Sequence, residues 1–417
     1  MKKFIKYHRS TIVIFSVVLL VAVLTKCINK ENDKIRPSKV AFEQFAGSET
    51  CGNCHKNIYE KHIHSAHYLT SQPALEKFIK GSFERGKNVF AYDNNVAVVM
   101  EKRNDSFYQV EYQNGMEKDK WRFDIAIGSG TLGQSTLSWR DNMLFQLPIT
   151  YFTAADQWSN STAYPDNAVF NRTISSRCLE CHTTFAKTIS PPDETPEKFD
   201  GNKIIYTVGC EKCHGPAAEH VKFHLQNPNQ SKGKYVINPA SFSRQQSLDM
   251  CTLCHGGRLQ KSTASFEFVS GDTLSKYFKI DTAASEPSNI DVHGNQFGLL
   301  RSSKCFALSK TMTCITCHDA HENERGKIKV FSERCITCHN PQHQNLCKLN
   351  STIGPSIKEN CIDCHMPFKP SNVVEVFLPH SNNPSPALIR THYITTYPEE
   401  SKKILSLMKN LTNGKSD

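Results

Sequence analysis

The pattern Cys-x-x-Cys-His occurs seven times, beginning at Cys51, Cys178, Cys210, Cys251, Cys314, Cys335 and Cys361, and takes up 14 of the 17 cysteines. At this frequency of cysteine and histidine, chance supplies roughly 0.03 copies. Two thiols three positions apart reach the two vinyl groups of one porphyrin, and the adjoining histidine is held beneath its iron. Zinc ribbons combine two Cys-x-x-Cys pairs per tetrahedral site and need no histidine after each pair. An odd number of pairs, each followed by histidine, therefore points to haem c, seven in all. The attaching thiols are Cys51, Cys54, Cys178, Cys181, Cys210, Cys213, Cys251, Cys254, Cys314, Cys317, Cys335, Cys338, Cys361 and Cys364. The proximal ligands are His55, His182, His214, His255, His318, His339 and His365.

Seven porphyrins dictate how such a chain folds. Hydrophobic residues make up only 38% of it, thin for an ordinary core of this length, and porphyrin faces supply the missing apolar surface. The expected fold is mostly α and irregular, packed around haem, with a small antiparallel β insertion. The first two motifs are 127 positions apart, whereas later steps are 32, 41, 63, 21 and 26. Inside that first gap the sequence alternates in strand fashion through Val96, Val98 and Met100, then Tyr108, Val110 and Tyr112, then Leu137 and Trp139. Asn114-Gly115, Asp141-Asn142 and the run Asp93 to Asn95 read as turns between those strands. The expected division is a signal peptide or anchor (1–27), a linker (28–46), a first haem segment (47–80), a β-rich insertion (81–169), a six-haem domain (170–395) and a tail (396–417).

The N-terminus carries Lys2, Lys3 and Lys6, followed by an apolar run from Thr11 to Thr25, the layout of an export signal. Export suits the chemistry, because haem is attached to this motif on the outer side of the energy-coupling membrane. At 15 residues the run spans about 22 Å as a helix, short of a hydrocarbon core of about 30 Å. Leu24 to Cys27 half resembles a lipoprotein signal, with Lys26 where a small residue is expected. Cleavage, lipidation and a retained anchor all stay open, and the expected location is the periplasmic side of a membrane, anchored there or released.

The formal charge of +10 does not indicate nucleic acid. Removing the five cations of residues 1–26 leaves +5, and seven haems at about −1 each bring the holoprotein to roughly −2. The partners expected are redox proteins, quinol-oxidising or other cytochrome components.

Methionines are few and scattered, so bis-histidine ligation is the default for the irons. Ten histidines remain outside the motifs and the signal region. His67, His220, His293, His321 and His392 are the foremost distal candidates, with His343 and His380 behind them and His62, His64 and His224 last. His321 stands three residues after His318, a reach of about 10 Å at most, too short to pass round its own macrocycle. It should bind a neighbouring haem, and the same reasoning covers His343 after His339. Cys305 and Cys347 are left over, and an oxidising compartment favours a disulfide between them.

Several stretches resemble the cytochrome c-554 and hydroxylamine-oxidoreductase-like multihaem family. They are Cys54-His55 with Ile58-Tyr59 and Ser65-Ala66-His67, Cys210 to Pro216 with His220, and Cys317-His318-Asp319-Ala320-His321. The likeness covers roughly residues 47–75 and 170–395. It implies stacked haem pairs that carry electrons, and distal roles for His67, His220, His293, His321 and His392. Some members of that family add a five-coordinate haem that handles nitrogen or sulfur compounds. This chain departs from the pattern in having seven motifs rather than four or eight and in carrying the β segment. The leading expectation is an electron carrier; the alternative is an oxidoreductase acting on a small inorganic nitrogen or sulfur compound at one open iron.

Overall fold

The computed structural model describes residues 40–413 apart from 93–94, 162, 192–193, 281–285, 341, 343–345 and 382. The signal or anchor, Cys27, most of the linker and His343 lie outside the described residues. Among the described residues no helix is long and apolar enough to cross a membrane.

After a short edge strand, β1 (Ser71–Pro73), the chain builds an antiparallel meander from β2 (Val89–Ala91), β3 (Val96–Arg103), β4 (Ser106–Gln113) and β5 (Met116–Arg122). Alternation drives it: Val98 and Met100 are fully buried on one face of β3, while Val99 and Glu101 face outward. Asn114 and Gly115 both take positive φ, 51° and 76°, the backbone of the tight hairpin that Asn-Gly favours. Next come β6 (Ile125–Ile127), β7 (Gly133–Arg140), β8 (Met143–Gln146), β9 (Ile149–Phe152) and β10 (Gln157–Asn160), followed by β11 (Arg172–Thr173) against β8.

Beyond this region the expectation of a mostly α fold with β structure confined to one insertion is overturned. Helix and strand are nearly balanced, at 31% and 26%. A hairpin of β12 (Thr183–Thr188) and β13 (Phe199–Tyr206) follows the second motif directly. Two-residue strands β14 (Gln260–Lys261) and β15 (Phe278–Lys279) pair farther on. After the seventh motif, β16 (Phe368–Phe377) and β17 (Pro384–Arg390) form a long hairpin. Its tip joins β10 through Asn160 and Phe377, so one nine-stranded sheet runs β1-β6-β7-β9-β10-β16-β17, with β8 and β11 branching from β7. The C-terminal chain thus closes back on the sheet begun before residue 130.

The main apolar core lies within and between these sheets, around Trp158, Phe90, Phe107, Phe123, Leu147 and Ile149. Gln109, fully buried on β4, binds the backbone of Ile149 on β9 twice: its Oε1 accepts from the N–H at 3.0 Å, and its Nε2 donates to the carbonyl at 2.7 Å. That side chain staples meander to sheet.

Candidate functional site: seven motifs and their histidines

Each motif makes about one turn of helix, and this local geometry explains its spacing. The His318 N–H bonds the Cys314 carbonyl at 3.0 Å, and His55, His339 and His365 do the same to Cys51, Cys335 and Cys361. A closed turn brings the histidine over the first cysteine, so both thiols and the imidazole address one plate-like group.

The fold then sets motifs side by side. The first and third meet through Glu211, whose carboxylate accepts from the backbone N–H of Ala46, Gly47 and Ala217, all at 2.8 Å. Burial raises the Glu211 pKa, opposed by those three N–H groups. Gly209 is needed at this seam, because a Cβ there would collide with Ser48 Oγ. The second and fourth motifs meet where Arg177 donates to the Leu253 carbonyl at 2.7 Å and pairs with buried Glu180 at 3.0 Å. The thiols of Cys251 and Cys314 lie within hydrogen-bond reach, joining the fourth motif to the fifth. Arg334, paired with Glu324, donates to the Cys317 carbonyl and joins the fifth to the sixth. Ser332 accepts from the Cys361 N–H at 2.9 Å and joins the sixth to the seventh. Cys213 and Cys251 feel each other electrostatically, closing the step from the third to the fourth.

Three motif histidines face a second histidine ring. His255 faces His67 with centroids 6.2 Å apart, His214 faces His321 at 6.2 Å, and His318 faces His392 at 6.1 Å. Two imidazoles bound to opposite sides of one metal ion at about 2.0–2.1 Å place their ring centres about 6.3 Å apart. The spacing of the ring centres in all three pairs matches that arrangement. His321 stands against the third motif's histidine, not against His318.

The chemistry of these rings fits metal binding. Burial pushes His67 down to about 4 and His392 down to about 4, so both are neutral at pH 7, the form in which imidazole binds a metal. The Nδ1 atoms of His214, His255 and His365 lie 3.0, 3.1 and 2.9 Å from the Ile237 carbonyl, Gln296 Oε1 and the Thr395 carbonyl. An acceptor at Nδ1 fixes the tautomer that presents Nε2 to a metal. His67 and His255 are closely surrounded by protein, yet both side chains remain exposed. Between residues 286 and 365 the described apolar side chains that are buried are few: Val292, Leu299, Phe306, Ile357, Ile362 and Cys364. That stretch holds the fifth and sixth motifs and reaches the seventh, and it lacks a side-chain core of its own. A large apolar group at each motif fits all these observations.

The other candidates are placed less decisively. His220 donates through Nδ1 to the Lys234 carbonyl at 2.7 Å and lies within electrostatic reach of His214. Its neighbour His224, 4.6 Å away, has a buried Nε2 with no hydrogen-bond partner among the described residues. His293 lies within electrostatic reach of His182. His380 occupies the exposed turn between β16 and β17 with φ of 61°, and faces no motif histidine among the described residues. His62 is buried with its Nε2 3.1 Å from the Val208 carbonyl and its Nδ1 3.4 Å from Ser65 Oγ, a hydrogen-bonded strut. Cys305 and Cys347 form no disulfide: Cys305 lies near Cys317 and Cys338, and Cys347 near Cys364. Sequence reasoning missed Thr70, Ser71 and Glu211, whose contacts to the motifs come from distant segments and carry no pattern of their own.

The family model described as cytochrome c554 and c-prime matches residues 139–215, which include the second and third motifs. The multiheme cytochrome MtrA of Shewanella baltica (strain OS185) is 26% identical over 198 residues, 45% of this chain and 51% of that protein. The chain thus spans about half the length of the curated relative it matches. The crystal structure of the outer cell wall cytochrome OcwA covers 86% of this chain and 81% of its own, with a TM-score of 0.53 and 16% identity, a likeness of fold. An undecaheme cytochrome from the S-layer of Carboxydothermus ferrireducens covers 87% of the chain with a TM-score of 0.38. With the motifs, the family model and the curated relative support a multihaem c-type cytochrome with covalently bound haem.

Proposed function

We propose that the chain carries seven haems, one per motif, and passes electrons through them outside the cytoplasm between redox partner proteins. Most of the irons, at least five, sit between two histidines. When bound, haem supplies reversible one-electron chemistry at iron. The residues of this chain do the rest: they fix the plates in sequence, hold both axial positions and keep substrate away from the metal.

One observation carries the reading: the three histidine pairs at 6.1–6.2 Å, each containing one motif histidine. In it His67 serves the fourth haem, His321 the third and His392 the fifth. His293 is assigned to the second, with His220, His343 and His380 as the remaining candidates. The motifs lie next to one another in the order first, third, fourth, fifth, sixth, seventh, with the second beside the third and the fourth, an order that supports electron hopping between neighbouring sites. The likeness to hydroxylamine-oxidoreductase-like proteins rests on the motif surroundings. Attachment to a membrane rests on the basic and apolar N-terminus.

Intact mass and a pyridine haemochrome titration of the purified protein test the count. Seven haems per chain are expected, and fewer than six would sink the reading.

A further inference from the structure

The sheet reaches into the haem region at one point. Strand β1 pairs with β6 through Ser71 and Ile127, and the Thr70 carbonyl just before it accepts from the Gly128 N–H at 2.7 Å. Held in this way, two hydroxyls meet the histidine of the second motif. Ser71 Oγ donates to the His182 carbonyl at 2.6 Å and accepts from the Thr207 N–H at 3.0 Å. Thr70 Oγ1 lies 2.9 Å from His182 Nδ1, and the Thr70 carbonyl also approaches the ring. With Nε2 given to iron, the neutral ring carries its proton on Nδ1, and that N–H donates to the threonine oxygen.

This acceptor differs in kind from its counterparts. His214, His255 and His365 each have an amide carbonyl at Nδ1. A hydroxyl oxygen is a weaker acceptor than an amide carbonyl, so it draws less proton density from Nδ1 and leaves the imidazole a poorer electron donor. A poorer donor stabilises ferric iron less, which raises the reduction potential. The second motif touches two others: the fourth through Arg177, and the third through Thr184, which accepts from the Gly209 N–H at 2.9 Å.

Resting on the seven-haem reading, we propose that Thr70 is a positioning residue that gives the second haem a higher potential than the third, fourth and seventh. The second site is then an electron-holding station beside the third and fourth. Loading it moves one electron from the fourth site to the second, oxidising one ferrous centre and reducing one ferric centre; the Nδ1 proton stays in place.

Potentiometric titration of the full holoprotein tests this with three variants, each checked for haem content. Thr70→Val removes the acceptor and should shift about one-seventh of the amplitude to higher potential, up to about tenfold in equilibrium constant, which is 59 mV for one electron. Thr70→Asn offers an amide oxygen and should shift the same component downward. Thr70→Ser keeps the hydroxyl and should titrate like the natural protein. If Val and Asn both leave the titration unchanged with seven haems bound, or spread the shift over several haems, the proposal is overturned. If the serine variant shifts as valine does, it is overturned as well. Fewer than seven haems in the natural protein would count against the haem reading and not against Thr70.

Discussion

At the scale of single residues, the motifs could be read from sequence because their chemistry is local: two thiols and an imidazole within five positions define a haem site whatever the fold. The distal partners could not be read in this way. His392 reaches His318 only because the hairpin after the seventh motif carries the chain back, and no spacing announces that. His321 was the exception, since a three-residue reach rules out its own haem before any fold is known. Replacing His392 by alanine leaves His318 without its facing ring at 6.1 Å. The expected outcome is seven haems retained, with one iron per chain turning high-spin in the EPR spectrum of the oxidised protein. An unchanged spectrum would remove His392 from the ligand set.

Among elements, the meander was legible and the later hairpins were not. Strand β3 alternates cleanly and ends near strong turn residues. Strand β16 contains Pro370 and Ser371, and its pairing with β17 is interrupted between Pro370 and Glu375. Proline cannot donate to a ladder, so a sequence reading demotes such a run. The fold tolerates it at this irregularity, and β12 and β13 were hidden by the motifs beside them. The join between meander and sheet is equally invisible in sequence, because it depends on one buried glutamine. Gln109→Leu leaves the Ile149 N–H and carbonyl without the partners they now have, and should cost about 1–3 kcal/mol. Chemical denaturation of the holoprotein checks this: the midpoint should fall while the haem spectrum of the folded protein stays the same. An unmoved midpoint would mean that water or a neighbour replaces the staple.

For the whole molecule, composition implies that haem supplies much of the core; among the described residues, buried apolar side chains are sparse between 286 and 365. The sequence reading could not anticipate that one sheet would join strands from Ser71 to Arg390 and touch the second motif through Thr70 and Ser71. In the proposed function the chain is a conductor, because irons held between two histidines would pass electrons and offer no position to a substrate. Low-temperature EPR of the oxidised protein, quantified against haem content, tests that most directly. At least five low-spin irons per chain are predicted; fewer than five, with the balance appearing as high-spin signal, would contradict it.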